Sequence, residues 1–345
     1  MDKVRFGKTG LQVSKIAFGG IPIQRLTTED AVNVVKGCIE LGVNFLDTAN
    51  GYSDSEEKIG IAIKGMPRDE LVIASKSGAK DKKGLLEHLD LSLKRMGTDY
   101  VDIYQLHGVS SKQAIDMVFA PGGAYEGLND AIKAGKVRFP GFSSHSIPAA
   151  IELLKTEKFA STQLPFNFID NEVLTEAVPL SEKLDVGFIA MKPFGGGLIT
   201  GAGIAIKYLA QFNSVVPDPG IEKLSEMEEI VKIMKANEPL TEEDLAAIEN
   251  VKNELGSSWC HRCEYCKPCP QDISISMALN IKSIDKRMPT HRVKAMMAGI
   301  MEKAAECTQC RNCVGRCPYN LDIPELLKDN LAYYEKHVNN PLHIA

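Results

Sequence analysis

The sequence lacks three features that would place it in familiar classes. No apolar run approaches the 18–20 residues of a membrane-spanning helix, so we expect no membrane association. The opening stretch, MDKVRFGKTGLQVSKIAFGG, has no apolar signal segment or cleavage site, which predicts a cytoplasmic protein that is not exported. Positive charge is not in excess, with 40 Lys and Arg against 45 Asp and Glu, and this argues against nucleic-acid binding.

Cysteine is nearly absent from the first three quarters of the chain. Only Cys38 lies there, and its apolar helical surroundings indicate a small core side chain. The other eight of the nine cysteines form two tight runs with spacings of two or three residues. Because cytosolic proteins seldom use cysteine for disulfides, these runs indicate metal or cluster ligation. The eight residues are Cys260, Cys263, Cys266, Cys269, Cys307, Cys310, Cys313 and Cys317.

The chain up to residue 255 alternates short apolar runs with amphipathic helical patterns. Such runs, apolar on both faces, are typical of buried parallel strands. Eight strands alternating with helices over roughly 250 residues predict a closed (β/α)8 TIM barrel. An open doubly wound sheet is the rival, but it usually carries G-x-G-x-x-G after its first strand, and FGGIPIQRL lacks that spacing. The runs lie at 15–20, 44–49, 71–76, 101–107, 139–145, 161–168, 186–194 and 214–219.

Polar side chains follow the predicted strands at the end where barrel active sites are built. Asp47, Lys76 and His107 end the second, third and fourth strands, and Tyr52 lies in the loop after the second. An ammonium beside a phenol lowers the pKa of the phenol, and a carboxylate would hold that ammonium. Tyr52 could then give a proton to the alkoxide that forms as hydride reaches a carbonyl carbon.

These motifs resemble the aldo-keto reductase family over residues 4–235. The resemblance rests on FGKTGLQVSKIAFGG, DTANGYSDSEEKIGIAIKG, SK at 75–76 and LKRMGTDYVDIYQLH. It implies a catalytic tetrad of Asp47, Tyr52, Lys76 and His107, a small carbonyl or alcohol substrate and a nicotinamide cofactor, NAD(H) or NADP(H). The cofactor contacts it implies are Gly20, Asp47, Ser143, Ser144, Gln163, Met191, Pro217 and Asp218.

Two positions depart from the family pattern. Met191 stands where a Tyr commonly stacks on the nicotinamide ring. Asp218 stands where a basic residue often follows Ile-Pro, and a carboxylate there would repel a 2′-phosphate, which favours NADH over NADPH. The loop after the seventh strand is also short. A flavin is therefore the alternative cofactor.

The two cysteine runs read C-x2-C-x2-C-x2-C-P and C-x2-C-x2-C-x3-C-P. The second is the bacterial two-cluster ferredoxin pattern, whereas zinc sites usually separate two cysteine pairs by a longer stretch. We therefore expect two 4Fe-4S clusters, with the fourth cysteine of each run bound to the other cluster. The predicted ligand sets are Cys260, Cys263, Cys266 and Cys317 for one cluster and Cys307, Cys310, Cys313 and Cys269 for the other. The segment between the runs has a helical pattern and resembles helical ferredoxin domains.

The sequence thus predicts an α/β barrel over residues 1–255 and a mainly helical, ferredoxin-like iron–sulfur domain over residues 256–345. The function it favours is carbonyl–alcohol interconversion by hydride transfer, linked to one-electron transfer to a partner such as a ferredoxin. Three alternatives stay open: an electron-transfer protein, a flavin-dependent reductase without nicotinamide chemistry, and a redox-sensing regulatory barrel.

Overall fold

The computed structural model describes residues 1–199 and 201–339. The chain forms two compact units, the first made of Met1–Gly195 and Gly201–Leu240. The second contains the described residues of Gly196–Thr200 and Thr241–Ala345. The helix Glu242–Gly256 thus falls in the second unit, whereas the sequence placed the domain boundary after it. The domain limits at 255 and 256 stay a prediction.

A parallel barrel forms the first unit. In the described part of the chain, eight strands pair in sequence order. The last strand closes on the first through a parallel bridge between Gly19 and Gly220, and Ala17 N donates to Pro217 O at 2.9 Å. This confirms the predicted fold class. The strands are β3 (Phe18–Gly19), β4 (Phe45–Asp47), β5 (Val72–Ser77), β6 (Val101–Leu106), β7 (Val137–Ser143), β8 (Ser161–Pro165), β9 (Gly187–Met191) and β10 (Val215–Asp218).

The strands form where the chain is apolar on both faces, because each packs against the barrel interior on one side and against helices on the other. Every residue of β5 and β6 is buried. The polar residues Lys76 and Ser77 end β5 at the rim. The fold therefore places these two buried polar side chains at one end of the barrel.

Helices surround the barrel, and several of them begin with a side-chain cap. The side chain of Thr27 precedes the first helix and accepts a hydrogen bond from Asp30 N at 3.1 Å. The side chain of Asp81 caps the third helix by accepting a hydrogen bond from Gly84 N at 2.9 Å. The helices are α1 (Thr28–Glu40), α2 (Ser55–Ile63), α3 (Lys82–Met96), α4 (Lys112–Phe119), α5 (Ala124–Lys133), α6 (Ile147–Lys155), α7 (Ala177–Lys183), α8 (Ala202–Ala210) and α9 (Leu224–Ala236).

An N-terminal hairpin covers the floor of the barrel, which is the end where the parallel strands begin. Its antiparallel strands are β1 (Lys3–Arg5) and β2 (Gln12–Ser14). The Phe6 ring is buried and meets the Phe45 ring edge-on, with the ring centroids 5.4 Å apart. Gly187 makes this packing possible, because a Cβ there would lie 2.4 Å from Phe6 Cε1. The polar rim is therefore at the opposite end from the hairpin.

Short helices and cysteine-bearing loops build the second unit. Its own apolar core includes Ile275, Ile281, Met297 and Leu327. This agrees with the mainly helical architecture predicted for the C-terminal region. The helices are α10 (Glu242–Gly256), α11 (Ile275–Leu279), α12 (Ile281–Asp285), α13 (Thr290–Ala305) and α14 (Ile323–Tyr334).

Candidate active site and cluster sites

A buried ion pair lies at the carboxyl ends of β4 and β5. Lys76 Nζ is 2.5 Å from Asp47 Oδ2 and 2.7 Å from Thr48 O, and the side chains of Lys76 and Asp47 are only 1% and 3% exposed. Burial alone would lower the pKa of Lys76, but the acidic groups around it, Asp47 first, outweigh burial and raise it. The ammonium therefore stays charged.

Tyr52 and His107 complete this group. Lys76 Nζ lies 5.5 Å from the centroid of the Tyr52 ring, and the Tyr52 and His107 rings meet edge-on with centroids 5.8 Å apart. Burial, followed by the charges of Lys76 and Lys80, lowers the pKa of His107 to about 3. The imidazole is therefore neutral. The structure brings all four predicted tetrad residues together.

The two serines predicted to hold a cofactor amide lie at the end of β7 and just after it. Ser143 Oγ accepts a hydrogen bond from Gly108 N at 3.0 Å. Ser144 Oγ lies 3.1 Å from Ser146 O and 3.3 Å from Ser110 Oγ. Both hydroxyls thus already have protein partners, and their role toward a cofactor stays a prediction.

Gln163 links two carboxyls inside the barrel. Its Nε2 donates to Asp218 Oδ2 at 2.9 Å and lies 3.4 Å from Asp47 Oδ2. Burial, and then the nearby charge of Asp47, raise the pKa of Asp218 well above its ordinary value. In the described residues Gln163 Oε1 is buried and has no hydrogen-bond partner.

This position of Asp218 removes the argument for NADH that was based on it. That argument requires an ionised carboxylate facing a cofactor phosphate. Instead the side chain is 7% exposed, points into the barrel and favours its protonated form. Strand β10 turns residue 218 inward because side chains alternate in direction along a strand.

The three remaining cofactor candidates serve the barrel framework. Gly20 N donates to Asp47 O at 2.8 Å, and a Cβ at Gly20 would lie 2.9 Å from that oxygen. Pro217 O accepts the hydrogen bond that closes the barrel. Met191, which ends β9, is level with Pro165 and Asp218 on the neighbouring strands. Contacts from these residues to a cofactor stay a prediction.

The site residues predicted from the sequence did not include two polar residues that lie near the tetrad. Gln105 is buried in β6, level with Lys76, and neither side-chain amide atom has a hydrogen-bond partner in the described residues. Lys80 Nζ donates to His107 O at 3.3 Å. A sequence signal existed for both, because Gln105 lies two residues before His107 and Lys80 four residues after Lys76.

The cysteines of the second unit line two separate cavities. One is lined by four of the eight cysteines, and the other is lined by the remaining four. Ile275 belongs to the walls of both. Each cavity thus combines three cysteines of one run with the fourth of the other, as the crossed ligation pattern requires. The sets are Cys260, Cys263, Cys266 and Cys317, and Cys269, Cys307, Cys310 and Cys313.

In the described residues, the cysteine sulfur atoms are not grouped closely enough to bind a single zinc ion. Tetrahedral zinc, with Zn–S bonds of about 2.3 Å, holds its sulfur atoms about 3.8 Å apart. Among the described residues, no three cysteine Sγ atoms lie within 4.8 Å of one another. Burial, and then the charges of Cys260 and Cys263, raise the pKa of Cys266 to about 12. A positively charged iron centre would keep such a thiol ionised.

Comparison with known proteins agrees with these two sites. The model described as "Aldo/keto reductase family" matches residues 15–204, more than half of the 345-residue chain. The chain belongs to the aldo/keto reductase family. A second model, "4Fe-4S dicluster domain", matches residues 259–322 of this aldo/keto reductase. Its C-terminal region is therefore a 4Fe-4S domain, joined to a barrel of the aldo/keto reductase family.

The alignments to curated relatives cover little more than half of the chain. "Probable aldo-keto reductase 1" of Glycine max is 27% identical over 222 residues, which cover 59% of this chain and 62% of that protein. "NADH-specific methylglyoxal reductase" of Escherichia coli is 27% identical over 231 residues, covering 58% of this chain and 70% of that protein. The alignment to the first of these thus spans less than two thirds of its length.

Solved structures agree on the fold. The holo form of "aldo-keto reductase AKR11C1 from Bacillus halodurans" aligns with a TM-score of 0.62 and 23% identity, covering 73% of this chain and 96% of that one. The putative aldo-keto reductase PA4992 from Pseudomonas aligns with a TM-score of 0.61 and 20% identity, covering 68% and 96%. Within residues 1–199 and 201–339, no helix has the length and apolar character needed to cross a membrane.

Proposed function

We propose that the barrel is an NAD(P)H-dependent enzyme that interconverts a carbonyl and an alcohol, with Tyr52 as the proton donor. The observation that carries this proposal is the buried Lys76 ammonium, which touches Asp47 and lies 5.5 Å from the Tyr52 ring centroid. A nicotinamide, when bound, supplies or accepts the hydride. The residues of the chain handle the proton and the charge.

Each tetrad residue has a separate task. Lys76 favours the phenolate of Tyr52 electrostatically, which makes the phenol a stronger acid toward a developing alkoxide. Asp47 holds Lys76 in place and keeps it charged. His107, neutral because of its lowered pKa, can donate one N–H to the carbonyl oxygen of the substrate.

The nicotinamide is proposed to lie along the ends of β7, β8 and β9. Gln163 Oε1, which has no partner in the described residues, would accept from its amide, with Ser143 and Ser144 alongside. The preference for NADH over NADPH stays a prediction, now supported by the NADH-specific relative from Escherichia coli and no longer by Asp218. The comparisons give no support to a flavin.

The two 4Fe-4S clusters are proposed to exchange single electrons with a partner protein such as a ferredoxin. The support is the pair of cysteine-lined cavities in one small unit, with Ile275 in the wall of both. Hydride transfer moves two electrons and a cluster moves one. The carbonyl chemistry and the electron transfer are therefore tested separately.

Replacement of the proton donor tests the carbonyl chemistry. Tyr52→Phe keeps the ring and removes the acidic hydroxyl, so we expect turnover to fall by about 10²–10⁴-fold. The affinity for NADH or NADPH, measured by fluorescence titration, should stay nearly unchanged, because the proposed cofactor contacts lie on other strands. The assay uses a panel of small aldehydes and ketones with each nicotinamide.

Tyr100→Phe is the matched control. Tyr100 precedes β6 at the end of the strand opposite His107, and Arg68 stacks on its ring. This variant loses a hydroxyl in the same barrel without touching the tetrad. Full turnover by Tyr52→Phe would reject Tyr52 as the proton donor.

A further inference from the structure

Lys80 places a second ammonium beside the tetrad. It lies in the loop between β5 and α3, at the end of the barrel where Asp47 and Lys76 meet. Its side chain is half-buried, and its Nζ donates to the backbone oxygen of His107 at 3.3 Å. This contact uses one of the three N–H groups of the ammonium.

Lys80 differs from the lysines around it in having no counter-charge. Lys76 pairs with Asp47, Lys82 with Asp130, and Lys83 with Glu87 at 3.8 Å. No carboxylate of the described residues pairs with Lys80, and burial is the sole cause of its lowered pKa. An anion beside it would raise that pKa again.

An uncompensated, partly buried cation is costly for the fold. Removing an ammonium from water costs free energy that only an anion or several acceptors can return. A single backbone carbonyl offsets part of that cost. Uncompensated charges of this kind gather at binding and catalytic sites, where the ligand completes the pairing.

The order of the strands puts Lys80 on the substrate side of the rim. Three residues are proposed to contact the nicotinamide. Ser143 is at the end of β7, Gln163 is in β8, and Met191 is at the end of β9. Lys80 follows β5, whose neighbours β4 and β6 lead to Tyr52 and His107. A carbonyl held by Tyr52 and His107 would therefore have Lys80 on the side away from the nicotinamide.

We propose that Lys80 binds an anionic group of the substrate, so that the preferred substrates are carbonyl compounds carrying a carboxylate or a phosphate. This inference rests on the proposed carbonyl chemistry. Lys80 orients the substrate through a charge-assisted hydrogen bond and takes no part in the transfer of proton or hydride. The anionic group of the substrate supplies the counter-charge that Lys80 lacks among the described residues.

The test compares substrates that differ only in charge. The full-length protein with its clusters is assayed with 4-carboxybenzaldehyde against 4-carbamoylbenzaldehyde, and with succinic semialdehyde against its amide. We expect wild type to favour the carboxylate of at least one pair by about ten- to a hundredfold in kcat/KM, the range of a charge-assisted hydrogen bond. Glyceraldehyde 3-phosphate against glyceraldehyde gives the corresponding ratio for a phosphate.

Two substitutions and one control locate the preference. Lys80→Met should bring the ratio close to one, mainly through a higher KM for the anion, and Lys80→Arg should keep a preference. Lys83→Met removes an exposed lysine of the same segment and should leave the ratio as in wild type. Because Lys80 lacks a counter-charge, Lys80→Met should melt no lower than wild type.

Failure of this inference differs from failure of the proposed function. A wild-type ratio near one in every pair, or a preference that Lys80→Met leaves intact, overturns the inference while carbonyl reduction stands. If no compound is turned over with either nicotinamide, the proposed function fails and the inference fails with it.

Discussion

The Asp218 carboxyl lies inside the barrel, where Gln163 Nε2 donates to it at 2.9 Å and Asp47 is close by. Two carboxyls and one ammonium in a buried space cannot all be charged without excess negative charge. Protonation of Asp218 resolves this, because burial and Asp47 both raise its pKa. The free energy of folding therefore depends on pH through this residue.

The sign of that dependence follows from linkage. The pKa of Asp218 is higher in the folded state than its ordinary value of 3.8, so the folded state binds the proton more tightly. Its contribution to stability is fully present below pH 3.8 and is lost as pH rises through the folded-state pKa. Asp218→Asn keeps the neutral form at every pH. Its melting temperature should match wild type near pH 4 and exceed it by a few degrees at pH 8.

Thermal unfolding from pH 4 to pH 8 measures this difference, with Asp185→Asn as the control. Asp185 is largely exposed and pairs with Arg5, which lowers its pKa, so removal of its charge should destabilise at neutral pH. If Asp218→Asn raised the melting temperature by the same amount at every pH, Asp218 would be ionised in the folded protein throughout this range.

At the level of single residues, the sequence singled out four residues that the fold brings together, because they end strands or follow them closely. Their catalytic roles stay a prediction. It misjudged Asp218 because a strand end does not reveal which way the last side chain points. It missed the uncompensated charge of Lys80 because the lack of a partner is a property of the folded neighbourhood. Which charged side chains lie next to each other is therefore decided by the folded structure and does not follow from the sequence.

The elements of the barrel were easier to predict. Runs apolar on both faces marked the strands, although most strands are shorter than the runs, as with β4 at Phe45–Asp47 inside the predicted 44–49. The N-terminal hairpin was not among the predicted elements. Its packing depends on Phe6 meeting Gly187, residues that are remote in the sequence.

The contact between Phe6 and Gly187 predicts that a larger residue at position 187 destabilises the protein by a steric clash. In Gly187→Ala the new Cβ would lie 2.4 Å from the buried Phe6 ring, so the ring or the strand must move. We expect a loss of about 1–3 kcal/mol in the free energy of unfolding, measured by urea denaturation. Phe6→Leu should recover part of this loss in the double variant, since the two residues are in contact.

Gly203→Ala is the opposite control. Gly203 lies in α8, and the nearest atom to a Cβ there would be 4.0 Å away. Replacing an unstrained helix glycine should therefore stabilise by about 0.5–1 kcal/mol. A neutral effect of Gly187→Ala would show that the floor of the barrel has space for a methyl group.

At the level of the whole molecule, the chain joins a barrel of the aldo/keto reductase family to a 4Fe-4S domain. Composition and cysteine spacing revealed both parts, because each motif is local in the sequence. The sequence could not define the compact units, since the assignment of Glu242–Gly256 depends on what it packs against.

Iron content and spectroscopy test the electron-transfer part. Anaerobically purified protein should hold about eight iron atoms, the content of two 4Fe-4S clusters. After reduction with dithionite and removal of its excess, an oxidised ferredoxin should weaken the electron paramagnetic resonance signal of the clusters by accepting one electron from each, in wild type and in Tyr52→Phe alike. About four iron atoms would leave one cavity without a cluster, and an unchanged signal would reject electron transfer from the clusters to a ferredoxin.

Ile275 stands in the wall of both cysteine cavities. A branched aliphatic chain there acts as a shared partition between the two compartments. Enlarging or trimming it would disturb both at once, so neither inorganic centre could be retuned through this position alone. Changes that affect one cluster alone would have to come from residues that line a single cavity, such as Leu279 or Leu327.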